Sequence, residues 1–169
     1  MLFGTYMGVF WISKFILFPI GLSVPFLLFL FMGLTLCVPF MGYYYARMYR
    51  NHVCGGGISF LHAWIFTVFM YIFAALLAAV AHYIYFRFID HGYVLNTCET
   101  MVDTLAQSNM PGMDSYIATY QEALETARLL SPIDITLQMI SSNVFWGSIL
   151  AFPTALFVMR RKKDDAPAE

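Results

Sequence analysis

The stretch SFLHAWIFTVFMYIFAALLAAVAHYIYFRFI, residues 59–89, decides the fold. It holds no acid and no lysine, and its one formal charge is Arg87, near the end. As a helix rising ~1.5 Å per residue it outruns the ~30 Å hydrocarbon core of a bilayer. A run this long and this apolar is expected to cross a membrane, tilted or projecting beyond it.

Three further apolar runs lie on either side of it, at about residues 2–18, 24–45 and 133–159. FPIGLSVP, residues 18–25, carries Pro19, Gly21, Ser23 and Pro25, which predict a tight turn between the first two runs. The second run closes with Tyr43, Tyr44 and Tyr45, then Arg47 and Arg50. Tyrosine followed by arginine is the usual chemistry of a helix leaving the bilayer at the headgroups. A loop with three consecutive glycines follows. The chain is 60% hydrophobic and 11% charged, against roughly 45–50% and ~25% in soluble domains. One soluble core of this size cannot hold that excess. The first run has no basic residue before it and no A-x-A cleavage site, so it reads as a retained helix and not a signal peptide.

Charge orients the crossings. Arg47 and Arg50 occupy the second loop, and Arg160, Arg161, Lys162 and Lys163 follow the fourth run. Residues 90–134 hold seven acids against the single base Arg128. The positive-inside rule counts the basic residues and places both chain ends in the cytoplasm and residues 90–134 outside. Within that outer segment, Leu95, Cys98, Met101, Val102 and Leu105 recur at helical spacing, as do Met113, Ile117, Tyr120, Leu124 and Ala127. NMPGM separates the two sets. The expected fold is all-α. Residues 1–163 form one domain of four transmembrane helices, with an amphipathic helical hairpin at about 92–132 between the third and fourth. Residues 164–169 form a disordered cytoplasmic tail. The hairpin's apolar faces are expected to pack on each other, although a partner-binding face has the same pattern.

The inner loop and its surroundings read YYYARMYRNHVCGGGISFLHAW, and the long third run ends YIYFRFIDHGYV. This order resembles the Bacteroidota membrane family catalogued as domain of unknown function 4199. The features that match are a basic, glycine-containing inner loop entering a helix at Gly57, Ser59 and Phe60, and an aromatic run ending at Ile89 and Asp90. His91 stands where the family pattern has proline. The resemblance covers nearly the whole chain. It implies a bacterial inner-membrane fold and no activity. It also implies proximity to a membrane glycosyltransferase that uses polyprenyl-phosphate lipids.

Several residues invite a chemical reading. Lys14, the one charge in the first run, is costly at mid-membrane, on the order of ~3 kcal/mol. It is either an ion-pair or phosphate contact within a complex, or a side chain snorkelling to the outer headgroups near Pro19. Arg87, Asp90 and His91 share one helical face and suggest an anion or headgroup site. The plainer reading, which we favour, is an aromatic belt with a local ion pair that orients the helix exit. His82 lies within the membrane and is expected to bond to a neighbouring helix. Ala74 with Ala78 and Ala75 with Ala79 allow close helix approach. Gln138, Ser141, Ser142 and Asn143 enter the fourth run and either line a polar cavity or bond to neighbouring helices. Cys37, Cys54 and Cys98 fall at three depths, so no disulfide is expected, and no zinc or redox spacing is present.

No catalytic constellation, metal set or cofactor motif stands out, and no carboxylate lies inside the membrane spans, which argues against a proton pump. The net charge of −1 argues neither way about nucleic acid, and no nucleic-acid partner is assigned. The leading expectation is a non-enzymatic accessory or scaffold subunit of a bacterial inner-membrane complex. Its partners would be membrane lipids and either another membrane protein or further copies of itself. Lys14, Arg47, Arg50, Arg87, Asp90, His91 and Asn143 are its candidate interface or lipid contacts. One alternative is a small oligomeric transporter or channel lined by Lys14, His82, Ser142 and Asn143. The other is a lipid-headgroup enzyme acting at Arg87, Asp90 and His91.

Overall fold

The computed structural model describes residues 2–108 and 112–160. Among these residues it is all helical apart from short connections. The helices are α1 (Leu2–Ser23), α2 (Pro25–His52), α3 (Phe60–Ile84), α4 (Tyr93–Gln107), α5 (Asp114–Arg128) and α6 (Pro132–Val158). A π-helical turn, Tyr85–Ile89, prolongs α3. Four helices are long and apolar enough to cross a membrane: α1, α2, α6 and α3 with its π extension. The expected basic stop at Arg161, Lys162 and Lys163, the tail at 164–169 and most of the NMPGM break lie outside the described residues.

Helix starts follow local chemistry. Ser59 caps α3 by accepting the His62 N–H at 3.3 Å. Ser131 and Asp134 form a reciprocal capping box ahead of α6, and Pro132 supplies the first helical position without wasting a donor. The expected turn at 18–25 shrinks to one residue. Pro19 and Gly21 are helical, and only Val24, at φ −125° and ψ 96°, breaks the path from α1 to α2. Gly21 makes so tight a corner possible, since a Cβ there would lie 2.9 Å from the Leu28 nitrogen.

Ring contacts fix the helix directions. Phe18 meets Phe31 and Phe3 meets Tyr45, so α1 and α2 run antiparallel. Gly4 lies against Phe73 and Phe15 against His82, so α1 and α3 run parallel. Phe60 meets Phe152, which sets α6 antiparallel to α3. α3 is the central helix, with Ala63, Ala74, Ala75 and Ala78 fully buried. The small-residue pairs therefore pack within the bundle, where they allow backbones to approach closely. Tyr71 is fully buried at the middle of the core, stacked on Trp11 at 5.9 Å and flanked by Gly42 and Gly147.

Burial is uneven along the bundle. The buried residues of α2 begin at Val38, and most of those of α6 begin at Gly147. At that end Arg50, itself buried, donates from Nη1 to the Val158 carbonyl at 2.9 Å. Ile58 and Arg160 exchange backbone hydrogen bonds at 2.9 and 3.0 Å. The loop before α3 is thereby latched to the exit of α6. At the opposite end the first half of α2 is bare, with Phe26, Phe29, Met32 and Leu36 exposed. The bundle is closed at one end and open at the other.

α4 and α5 lie against each other and are joined by an ion pair between Glu99 and Arg128. Leu124 and Ala127 are half-buried, whereas Tyr116 and Tyr120 remain exposed. Tyr93 at the start of α4 hydrogen-bonds to Ser23, which ties this pair of helices to the corner between α1 and α2.

Candidate functional site

The open half of the bundle holds a polar pocket of about 180 Å³. Lys14 from α1, His82 from α3 and Asn143 from α6 all line it, with Trp11, Phe18 and Phe31 among its walls. Depths along the helices agree. At ~1.5 Å per residue, Lys14 lies about 13 Å from Ser23, His82 about 10 Å from Ile89 and Asn143 about 16 Å from Pro132. All three sit well inside the apolar spans.

None of the three is internally satisfied. The Lys14 ammonium lies 5.3 Å from the centroid of the Phe31 ring, a cation–π contact, and makes no ion pair among the described residues. His82 is 4% exposed and its Nδ1 has no hydrogen-bond partner. Its ring packs against that of Phe15 in an edge-to-face arrangement, with the centroids 4.2 Å apart. Asn143 is half-buried and has no hydrogen-bond partner among the described residues. Buried polar groups are normally paired, so the unpartnered His82 Nδ1, with the half-buried Lys14 and Asn143 beside it, sets this cavity apart from the rest of the apolar bundle. Towards the closed end the pocket stops at Trp11, which stacks on Tyr71, with Met7 fully buried beyond.

The structure separates the outer cluster that the sequence suggests. Asp90 is buried and turns back on its own chain, where its carboxylate accepts the N–H groups of Gly92 and Val94, each at 3.1 Å. This carboxylate caps α4. Arg87 makes no ion pair with Asp90 and lies 6.0 Å from the Phe88 ring centroid. The expected local ion pair is therefore replaced by a side-chain cap, because two backbone donors at a helix start outcompete an exposed arginine for one carboxylate. His91 is exposed and held at φ 45°, followed by Gly92 at φ 83°. Arg87, Asp90 and His91 do not converge on a common point.

The basic residues at the closed end divide in the same way. Arg47 is exposed and free to meet headgroups. Arg50 is a correction: it is buried, and its guanidinium is engaged with Val158 and with the Asn51 side chain at 3.0 Å. It caps the C-terminal carbonyls of α6, where positive charge is favoured.

A second cavity, an apolar groove of about 730 Å³, runs between α1 and the outer part of α3. Ile16, Ile20, Ala81 and Ile84 line it, and Phe15 separates it from the polar pocket. Its dimensions and lining suit a lipid chain.

The sequence named Lys14, His82, Ser142 and Asn143 as possible neighbours. The structure brings Lys14, His82 and Asn143 together and leaves Ser142 exposed beside them. Sequence reasoning missed Phe31, whose ring carries the lysine. No periodicity marks it, because the corner at Val24 alone brings it opposite Lys14.

The model of the family described as "Protein of unknown function (DUF4199)" matches residues 2–160. The chain belongs to this family. The match spans every described helix of this DUF4199 protein, and with it both the polar pocket and the latch between Arg50 and Val158. No curated protein and no solved structure matches the chain.

Proposed function

We propose that this DUF4199 protein is a non-enzymatic accessory subunit of a bacterial inner-membrane complex. In this reading it spans the bilayer four times with both ends in the cytoplasm, and α4 and α5 form an amphipathic hairpin on the outer face. The observation that carries the reading is the open half of the bundle. There Gln138 and Ser142 are exposed on α6 at membrane depth, with the Ser141 hydroxyl held by the Leu137 carbonyl at 3.0 Å, beside the exposed first half of α2. Exposed amide and hydroxyl groups in hydrocarbon favour contact with another helix.

The orientation rests on Arg47 and Arg160, which the latch gathers at one end of the bundle, and on the acid-rich segment at the other. Lipid contact is supported by the apolar groove and by the exposed Arg47. A membrane glycosyltransferase that uses polyprenyl-phosphate lipids is the partner that the family resemblance suggests.

The alternative of a small oligomeric transporter or channel fits less well when its path runs through one chain. A path through the polar pocket would have to pass Trp11, Met7 and Tyr71, which fill the closed half. A lipid-headgroup enzyme at Arg87, Asp90 and His91 fits poorly too, since Asp90 is committed to a helix cap.

The test is purification of the tagged protein from its own host in mild detergent, with mass spectrometry of what accompanies it. A stoichiometric membrane protein is the expected companion. A lone monomer, or a pure homo-oligomer with lipid, would overturn the reading.

A further inference from the structure

We infer that the polar pocket receives an aspartate or glutamate side chain carried at mid-membrane depth by a transmembrane helix of a different protein. This inference rests on the accessory-subunit reading and names the chemistry of its interface.

The pocket presents one cation, one amide and one buried histidine with an unpartnered nitrogen. A carboxylate answers all three: it pairs with Lys14 and accepts hydrogen bonds from Asn143 and from a protonated ring nitrogen of His82. Intramembrane charges are retained where they face a protein interior and find a partner. The described residues of this chain do not supply that partner. Within the four spanning helices the only acid is Asp134, in the first turn of α6 and engaged by Ser131. A second copy of the chain would bring only another Lys14 to the same level, so charge rules out a homodimer through this pocket.

The occupant is a helix and not a lipid headgroup for two reasons. A lipid phosphate belongs at the membrane surface, and reaching the buried pocket beside Lys14 would draw it into the apolar span, whereas a side chain on a spanning helix is held at that depth by its backbone. The rim is also suited to a helix. Gln138 and Ser142 are exposed on α6 immediately beside the pocket residues Met139 and Asn143, and the facing half of α2 leaves Phe26, Phe29, Met32 and Leu36 exposed. A helix lying there would meet polar groups along its length, and its acid would enter the pocket.

The experiment places a photo-crosslinker in the pocket wall, Phe31→p-benzoylphenylalanine, in the full-length protein in its native membranes. Peptide mapping then identifies the adduct. The expected product joins residue 31 to a transmembrane segment of another protein that contains Asp or Glu. Lys14→Met should lower its yield by about tenfold or more, as loss of one member of a buried charge pair does, while Lys14→Arg should preserve it. Replacing the partner's acid by its amide should match the effect of Lys14→Met. Thermal stability of the Lys14→Met protein in detergent, expected to change by no more than loss of the cation–π contact with Phe31 allows, separates loss of pairing from loss of fold. An adduct with lipid alone, with a second copy or with a segment lacking an acid overturns the inference. So does the absence of any protein adduct, or an adduct indifferent to Lys14→Met. A companion that co-purifies yet cross-links only elsewhere overturns the inference and leaves the accessory reading standing.

Discussion

Gly147 of α6 lies directly against the side chain of Tyr71 of α3: a Cβ at position 147 would sit 2.9 Å from the Cβ of Tyr71. Tyr71 has no space to yield, because it is fully buried and stacked on Trp11 from the other side.

Gly147→Ala is therefore expected to destabilise the bundle by about 1–3 kcal/mol, the usual cost of overpacking a full core. Gly33→Ala is the control, since nothing lies within 4 Å of a Cβ there. It should be neutral or stabilising by up to ~1 kcal/mol through helix propensity. Thermal unfolding in micelles, followed by circular dichroism, measures both.

Arg50 is the second point of sensitivity. Arg50→Met removes a charged hydrogen bond to the Val158 carbonyl and should cost about 1.5–3 kcal/mol. Arg50→Lys keeps the charge and loses the fork that also reaches Asn51, so it should fall between the two. The same unfolding assay ranks the three proteins. Equal stability of wild type and Arg50→Met would remove the latch from the account.

The turn after the π-helical segment yields a prediction of opposite signs. Asp90→Ala uncaps α4 and should cost about 1–2 kcal/mol. His91→Gly should stabilise by up to ~1 kcal/mol, because glycine adopts φ 45° without strain. His91→Pro should disrupt the turn, since proline is locked near φ −65°. Hydrogen exchange at the start of α4 distinguishes the three.

Cys98 offers a pH-dependent readout. Burial, and secondarily the negative charge of Asp90, push its thiol above the ordinary cysteine range. The thiolate is the reactive form, so at neutral pH alkylation of Cys98 should be slower than that of an unperturbed thiol, and its rate profile should be displaced to higher pH. Asp90→Asn should bring the profile part of the way back, since the larger cause is burial. A double variant lacking Cys37 and Cys54 reports Cys98 alone.

Four long apolar helices and the helical segment between the third and fourth of them were legible because apolar run length and helical spacing are local properties of a sequence. The corner at Val24 was not, because Pro19 reads as a turn signal but is accommodated within α1, and the value of Gly21 emerges only from its closeness to Leu28. Arg50 and Asp90 were visible as charges at helix ends. Their engagement as caps was hidden, since Arg50 serves a helix more than a hundred positions away and Asp90 turns inward where a neighbouring arginine suggested a surface pair. The polar pocket was legible as an inventory of unusual residues, Lys14, His82 and Asn143. Their common location depends on the relative placement of α1, α3 and α6, which no single run of sequence encodes.

The clasp between Arg50 and Val158 joins residues 108 positions apart, and it has a bearing on biogenesis. A chain leaves the ribosome in order, so α1, α2 and α3 are complete while the carbonyl that Arg50 will hold has yet to be made. Until α6 arrives, the Arg50 guanidinium lacks the carbonyl it holds in the complete fold, and the flank of Tyr71 that meets Gly147 is uncovered. Arrival of the last helix conceals both at once. The latch is therefore among the last contacts to form, and a chain that stops short of residue 158 cannot make it.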